Sequence, residues 1–94
     1  MLSYRGGKNK PSAGNEIHLR QLTVDVALIK LYKYLNDAFM AGLARVRVIH
    51  GKGTGTLRQA VGKQLARHSL VESYRPGGYG EGGDGVTIAE LTHR

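Results

Sequence analysis

His50-Gly51-Lys52-Gly53-Thr54-Gly55 sets three glycines at alternating positions, with an imidazole before them, an ammonium between them and Arg58 shortly after. A glycine takes positive φ at little steric cost and lets an anion come close to the main chain. A helix starting directly after such a loop adds unpaired N–H groups and a partial positive charge. Lys52 and Arg58 supply full charges, and His50 a group that titrates near neutral pH. These are the parts of a phosphate site, with Gly51, Gly53, Thr54, Gly55, Thr56 and Arg58 as its candidate contacts. Two familiar nucleotide loops do not fit the spacing. A Walker loop needs Gly-Lys-Ser/Thr, whereas Lys52 is followed by Gly53, and the dinucleotide fingerprint needs glycine where Thr56 stands. The plainer alternative, a tight strand-to-helix turn with no ligand, leaves the gathering of His, Lys and Arg unexplained.

The loop must be carried by the elements on either side. Ile17, Leu19 and Leu22 suggest a short strand, and Thr23 offers a helix N-cap with Asp25 in the first turn. Val24, Ala27, Leu28, Leu31, Leu35, Ala38 and Phe39 then recur at steps of three and four, which predicts a helix closing at Gly42. Arg45–His50 reads as a second strand, parallel to the first across a βαβ crossover. Leu57, Ala60, Val61 and Leu65 mark a second helix ending near His68, a candidate partner for that helix's C-terminal dipole. Leu70–Arg75 and Val86–Leu91 read as an antiparallel hairpin joined by the glycine-rich stretch 76–84, expected to be a mobile loop. The predicted fold is α/β, an α+β sandwich ordered β-α-β-α-β-β with a four-stranded mixed sheet and two helices.

Ninety-four residues suffice for one domain. The absence of cysteine excludes disulfides and a Cys-based zinc site. No apolar run is long enough for a membrane span and the N-terminus has no signal-peptide pattern, so no membrane role is expected and the cytoplasm is the default location. The net charge of +7 and a pI near 10.1 favour a polyanionic partner. Residues 1–14 hold Arg5, Lys8 and Lys10 with no acid and no periodicity, and read as a flexible basic tail or linker in which Lys8 and Lys10 could add phosphate contacts. The domain proper is expected over 15–94.

Three motifs in order resemble one family. His50-Gly51-Lys52-Gly53-Thr54-Gly55 with Leu57-Arg58 is similar to the HGKGxGxLR segment of the Smr (small MutS-related) domain. Gly82-Gly83-Asp84-Gly85-Val86-Thr87 matches its GGxGVT segment, and Ile17-His18-Leu19-Arg20 stands where it has LDxR or LDxH. The resemblance implies a fold like the C-terminal domain of translation initiation factor three. It also implies DNA binding and nicking with a preference for branched DNA, in suppression of homologous recombination; some members are associated with RNA cleavage and with rRNA on collided ribosomes. It further implies an upstream MutS-like ATPase, the chain looking like an excised domain of a MutS type 2 protein. His18 replaces the family's Asp and Gln21 its following Gly, which bears on any role of that Asp in hydrolysis.

Phosphodiester hydrolysis needs a positioned water, stabilisation of charge on the phosphoryl oxygens and a proton for the leaving oxygen. His50 is the candidate acid or base, Lys52 and Arg20 the candidate phosphate holders, and His18 a further catalytic candidate if it shares a strand face with Arg20. The carboxylates Glu16, Asp25, Asp37, Glu72, Glu81, Asp84 and Glu90 are scattered, unlike the cluster of a two-metal nuclease. No cofactor or protein-bound metal is expected, though magnesium or manganese carried by the nucleic acid could stimulate the reaction. Arg75 is a further candidate phosphate contact, and Tyr79, at the hairpin tip, could stack on an unpaired base.

Overall fold

The structure, a computed structural model, describes residues 15–93; the basic segment with Lys8 and Lys10 lies outside them. The elements run β1 (Glu16–His18), α1 (Val24–Met40), β2 (Arg45–Ile49), α2 (Thr56–Arg67), β3 (Val71–Pro76) and β4 (Val86–Leu91), with a single 3-10 turn at Gly83–Gly85 leading into β4. They form a four-stranded mixed sheet in the order β1-β2-β4-β3. β1 runs parallel to β2, while β4 is antiparallel to both β2 and β3. The expected α+β architecture and element order are those observed.

Both helices lie on one face of the sheet, as the core shows. Ala27, Leu31, Leu35 and Ala38 of α1 and Val61 and Leu65 of α2 are buried with Val46, Val48, Ala89 and Leu91 from the strands. Period-two alternation sends Arg45, Arg47 and Ile49 to the opposite face, where they pair in register with Glu90, Ile88 and Val86 of β4. Among the described residues no helix is long and apolar enough to cross a membrane.

Local chemistry sets the helix ends. The Thr23 hydroxyl caps α1 by accepting the Val26 N–H, with Asp25 in the first turn. At the other end Gly42 takes φ +83, Leu43 N–H donates to the Ala38 carbonyl and Gly42 N–H to that of Phe39. This is a Schellman close, and Leu43 completes it by packing on the core.

Three expectations are corrected. β1 ends at His18, because the chain reverses at Arg20–Gln21 with Gln21 at φ +68; Leu22 belongs to the turn into α1. His68 is buried, and its Nδ1 accepts the Leu70 N–H. Burial pushes its pKa down, so it is a neutral packing group against Tyr32 rather than a cation on the helix dipole. The glycine-rich hairpin loop is tied down. Glu81 receives both guanidinium nitrogens of Arg75, at 2.7 and 3.0 Å, and the Gly78 N–H at 2.7 Å. Those donors, Arg75 foremost, hold the Glu81 pKa down at about 2.

Candidate functional site

The glycine loop leaves the C-terminal end of β2 and enters α2. Gly51, Gly53 and Gly55 all take positive φ, at +83, +38 and +90, and Gly55 is the α2 N-cap. The loop is fixed to the start of β4. Gly85 carbonyl oxygen accepts the N–H groups of both His50 and Gly51, at 3.1 and 2.9 Å, so the HGKG and GGDGVT motifs meet at one point. The two segments pack in van der Waals contact there: a Cβ on Gly85 would lie 3.6 Å from Gly51 Cα.

His50 is 4% exposed, and both of its ring nitrogens are engaged. Nδ1 lies 2.9 Å from the Gly51 carbonyl oxygen and Nε2 2.8 Å from Thr87 Oγ1. A carbonyl oxygen only accepts, so Nδ1 donates; in the neutral ring Nε2 then accepts the Thr87 hydroxyl proton. His50 thus locks the first peptide of the loop to β4.

Beside the loop is an open cleft of about 710 Å³ bordered by Arg20, Arg47, His50, Lys52, Gly82 and Gly85 among others. Three elements bring its cations together: the turn after β1 carries Arg20, β2 carries Arg47, and the loop carries Lys52. Arg20 lies across Gly51, where a Cβ would stand 3.3 Å from Arg20 Cγ. Arg47 donates to Glu16 Oε1 at 3.0 Å and to the Glu81 carbonyl at 3.4 Å, and its Nε is buried without a partner. Among the described residues no Asp or Glu borders the cleft. The far side of the loop forms a second hollow in which Thr54, Thr56 and Arg58 lie beside the Thr23 end of α1. Cations therefore flank the loop on both sides, joined on the far side by the N-termini of α1 and α2, an arrangement that favours anions.

The other predicted residues fall elsewhere. His18 is 64% exposed on its side chain, pairs with Glu16 at 3.0 Å and borders a separate hollow with Lys30, Lys33, Tyr34 and Asp37. Its supposed alignment with Arg20 required β1 to continue, and it does not. Arg75 is occupied by Glu81 and braces the hairpin turn. Arg47 is a cleft residue that the motifs did not single out; its one signal in the sequence is the alternation Arg45-Arg47-Ile49 against Val46-Val48-His50. Among the described residues no three His, Asp or Glu side chains gather closely enough to hold a metal ion.

The fold and cleft define a small α+β domain that presents a glycine-rich loop, flanked by cations, at the end of a mixed sheet. The chain belongs to the Smr domain family, whose model matches residues 17–92. It is 59% identical over 76 residues to the endonuclease MutS2 of Symbiobacterium thermophilum, covering 81% of this chain and 10% of that protein. Against the endonuclease MutS2 of Clostridium beijerinckii it is 52% identical over 83 residues, covering 88% of this chain and 11% of that protein. The chain thus spans about a tenth of the length of these relatives. The solved Smr domain of Thermus thermophilus MutS2 superposes with a TM-score of 0.81 at 46% identity, over 84% of this chain and 99% of that one. YdaL, a stand-alone small MutS-related protein from Escherichia coli, gives 0.77 at 25% identity, over 94% of this chain and 70% of that one.

Proposed function

We propose that the cleft binds the phosphate backbone of nucleic acid and that the domain nicks DNA, branched DNA above all, as part of a MutS-like parent chain that restrains recombination. The observation that carries the binding is the convergence of Arg20, Lys52 and Arg47, the last also paired with Glu16, on one cleft that no acid borders among the described residues. The name endonuclease borne by the MutS2 relatives supports the nicking. In this reading Arg20, Arg47 and Lys52 neutralise the phosphoryl oxygens as charge develops on them, and the loop N–H groups contribute from the main chain. His50 holds that loop in place through Thr87 and Gly51. Any divalent ion that assists, magnesium or manganese, arrives with the nucleic acid.

A second reading is a non-catalytic module that docks a MutS type 2 ATPase on DNA junctions or on ribosomal RNA of collided ribosomes. The occupied ring nitrogens of His50 favour it, since neither is free to take a proton from water. Nicking of supercoiled plasmid by wild type, Lys52→Ala and His50→Ala, each with and without chelator, separates the two. Nicking by wild type and its loss in Lys52→Ala supports the enzyme, and the chelator lanes report on the ion. Binding without nicking by any of the three supports the module. With Arg20, Arg47, Lys52 and Arg58 as contacts, log K should fall against log salt with a slope of roughly −3.6 on duplex DNA; a slope near zero overturns both readings.

A further inference from the structure

Tyr79 is fully exposed, at 108% of its reference area, yet the backbone beneath it is braced on every side. Gly78 and Glu81 close a β-turn around Tyr79 and Gly80, with the Glu81 N–H donating to the Gly78 carbonyl at 2.9 Å. Gly80 takes φ +83, the left-handed value that a type II turn requires at its third residue. The Gly78 N–H in turn donates to Glu81 Oε1, and the same carboxylate is gripped by Arg75. The Glu81 carbonyl is bound by Arg47, which borders the cationic cleft. Gly82 follows at once, packed on Val86 and bordering the same cleft.

A single exposed aromatic ring on a surface is ordinary. Two features set Tyr79 apart: its turn is closed by its own hydrogen bonds, and that turn is tied through Arg47 to the cationic cleft. Two residues, Gly80 and Glu81, separate it from Gly82 on the cleft wall, so the two Cα atoms lie at most ~11 Å apart. A flat ring held at that distance suits a base whose own phosphate, or a near neighbour, lies in the cleft. A paired and stacked base has its faces covered, so the ring can take only an unpaired one.

We propose that Tyr79 is a stacking platform for an unpaired base of a DNA strand whose phosphates occupy the Arg20–Arg47–Lys52 cleft, so that the domain selects strands unpaired at the point of contact, as in gaps, flaps and forks. This rests on the phosphate-binding reading above. The test is fluorescence anisotropy with three labelled probes: a short oligothymidylate, a duplex of the same length, and an abasic oligonucleotide that keeps the phosphates and lacks the bases. Tyr79→Ala should weaken oligothymidylate binding by about five- to hundredfold, the range stacking on one aromatic ring supplies. It should leave the duplex and abasic probes unchanged, and Tyr79→Phe, which keeps the ring, should bind as wild type does. An unchanged thermal melt of Tyr79→Ala shows that the fold is intact.

Equal losses on all three probes, or no loss on oligothymidylate, overturn the stacking platform. If Lys52→Ala weakens every probe while Tyr79→Ala weakens none, the platform falls and the phosphate cleft stands. If Lys52→Ala weakens none, or no probe binds, the cleft reading falls and the platform with it.

Discussion

His50 Nε2 and Thr87 Oγ1 lie 2.8 Å apart in the interior, joining the end of β2 to β4 beneath the glycine loop. Thr87 sits opposite Val48 in the ladder, so the contact depends on the pairing register of the two strands. The imidazole is anchored from both sides, by this hydroxyl and by the Gly51 carbonyl, and the first peptide of the loop is held with it.

Replacing Thr87 with valine keeps the shape and deletes the hydroxyl, leaving a buried ring nitrogen without a partner. The expected loss of stability is about 1–3 kcal/mol, read from the denaturant midpoint, and Thr87→Ser should recover much of it. Imidazole nitrogen NMR should show the Nδ1-protonated tautomer in both proteins, because the Gly51 carbonyl still requires the donor, with the Nε2 resonance shifted in the valine variant as its hydrogen bond is lost. An unchanged midpoint and Nε2 resonance in Thr87→Val would refute the anchoring role.

Gln21 carries φ +68 where the family pattern has glycine. A left-handed backbone at a residue with a Cβ costs roughly 1–2 kcal/mol, and glycine gives back about 0.5–1 kcal/mol of that in chain entropy. Gln21→Gly should therefore raise the urea midpoint, by an amount equivalent to about 0.5–1 kcal/mol. A midpoint equal to or below that of wild type would mean that the Gln21 side chain contributes more than its backbone strain takes away.

His68 supplies a pH dependence whose sign follows from its burial. Its pKa in the folded chain is lowered below the ordinary value near 6.5, so the unfolded chain binds the proton first as pH falls. The stabilising contribution is complete above about pH 6.5 and is lost as pH falls from there toward the lowered folded value. Thermal melts between neutral pH and pH 5 should show this decline in wild type and a flatter profile in His68→Leu. Identical slopes for the two proteins would remove His68 as its source.

Much of the fold was legible because periodicity is local. The steps of three and four from Val24 to Phe39 and the alternation in β2 each mark an element without reference to the rest of the chain. The glycine loop was legible for a similar reason, since three alternating glycines between a strand and a helix are rare without a demand for positive φ. Arg47 was not, because alternation separates two faces of a strand without saying which one the helices cover. His18 was misplaced by one conformational event, the reversal at Gln21, which ends β1 before its alternation reaches Arg20. The hairpin turn looked mobile because its brace comes from two side chains, Arg75 and Glu81, whose pairing a run of glycines conceals.

With both helices on one face, the opposite face of the sheet is covered beside β4 by Gly82, which packs on Val86, and by Arg47, which reaches from beside Ile88 to the Glu81 carbonyl. Gly82 and Arg47 also border the cleft. The cover of the second face and the wall of the cleft thus share these two residues. A change that frees Arg47 from the Glu81 carbonyl therefore acts on the hairpin and on the cleft together.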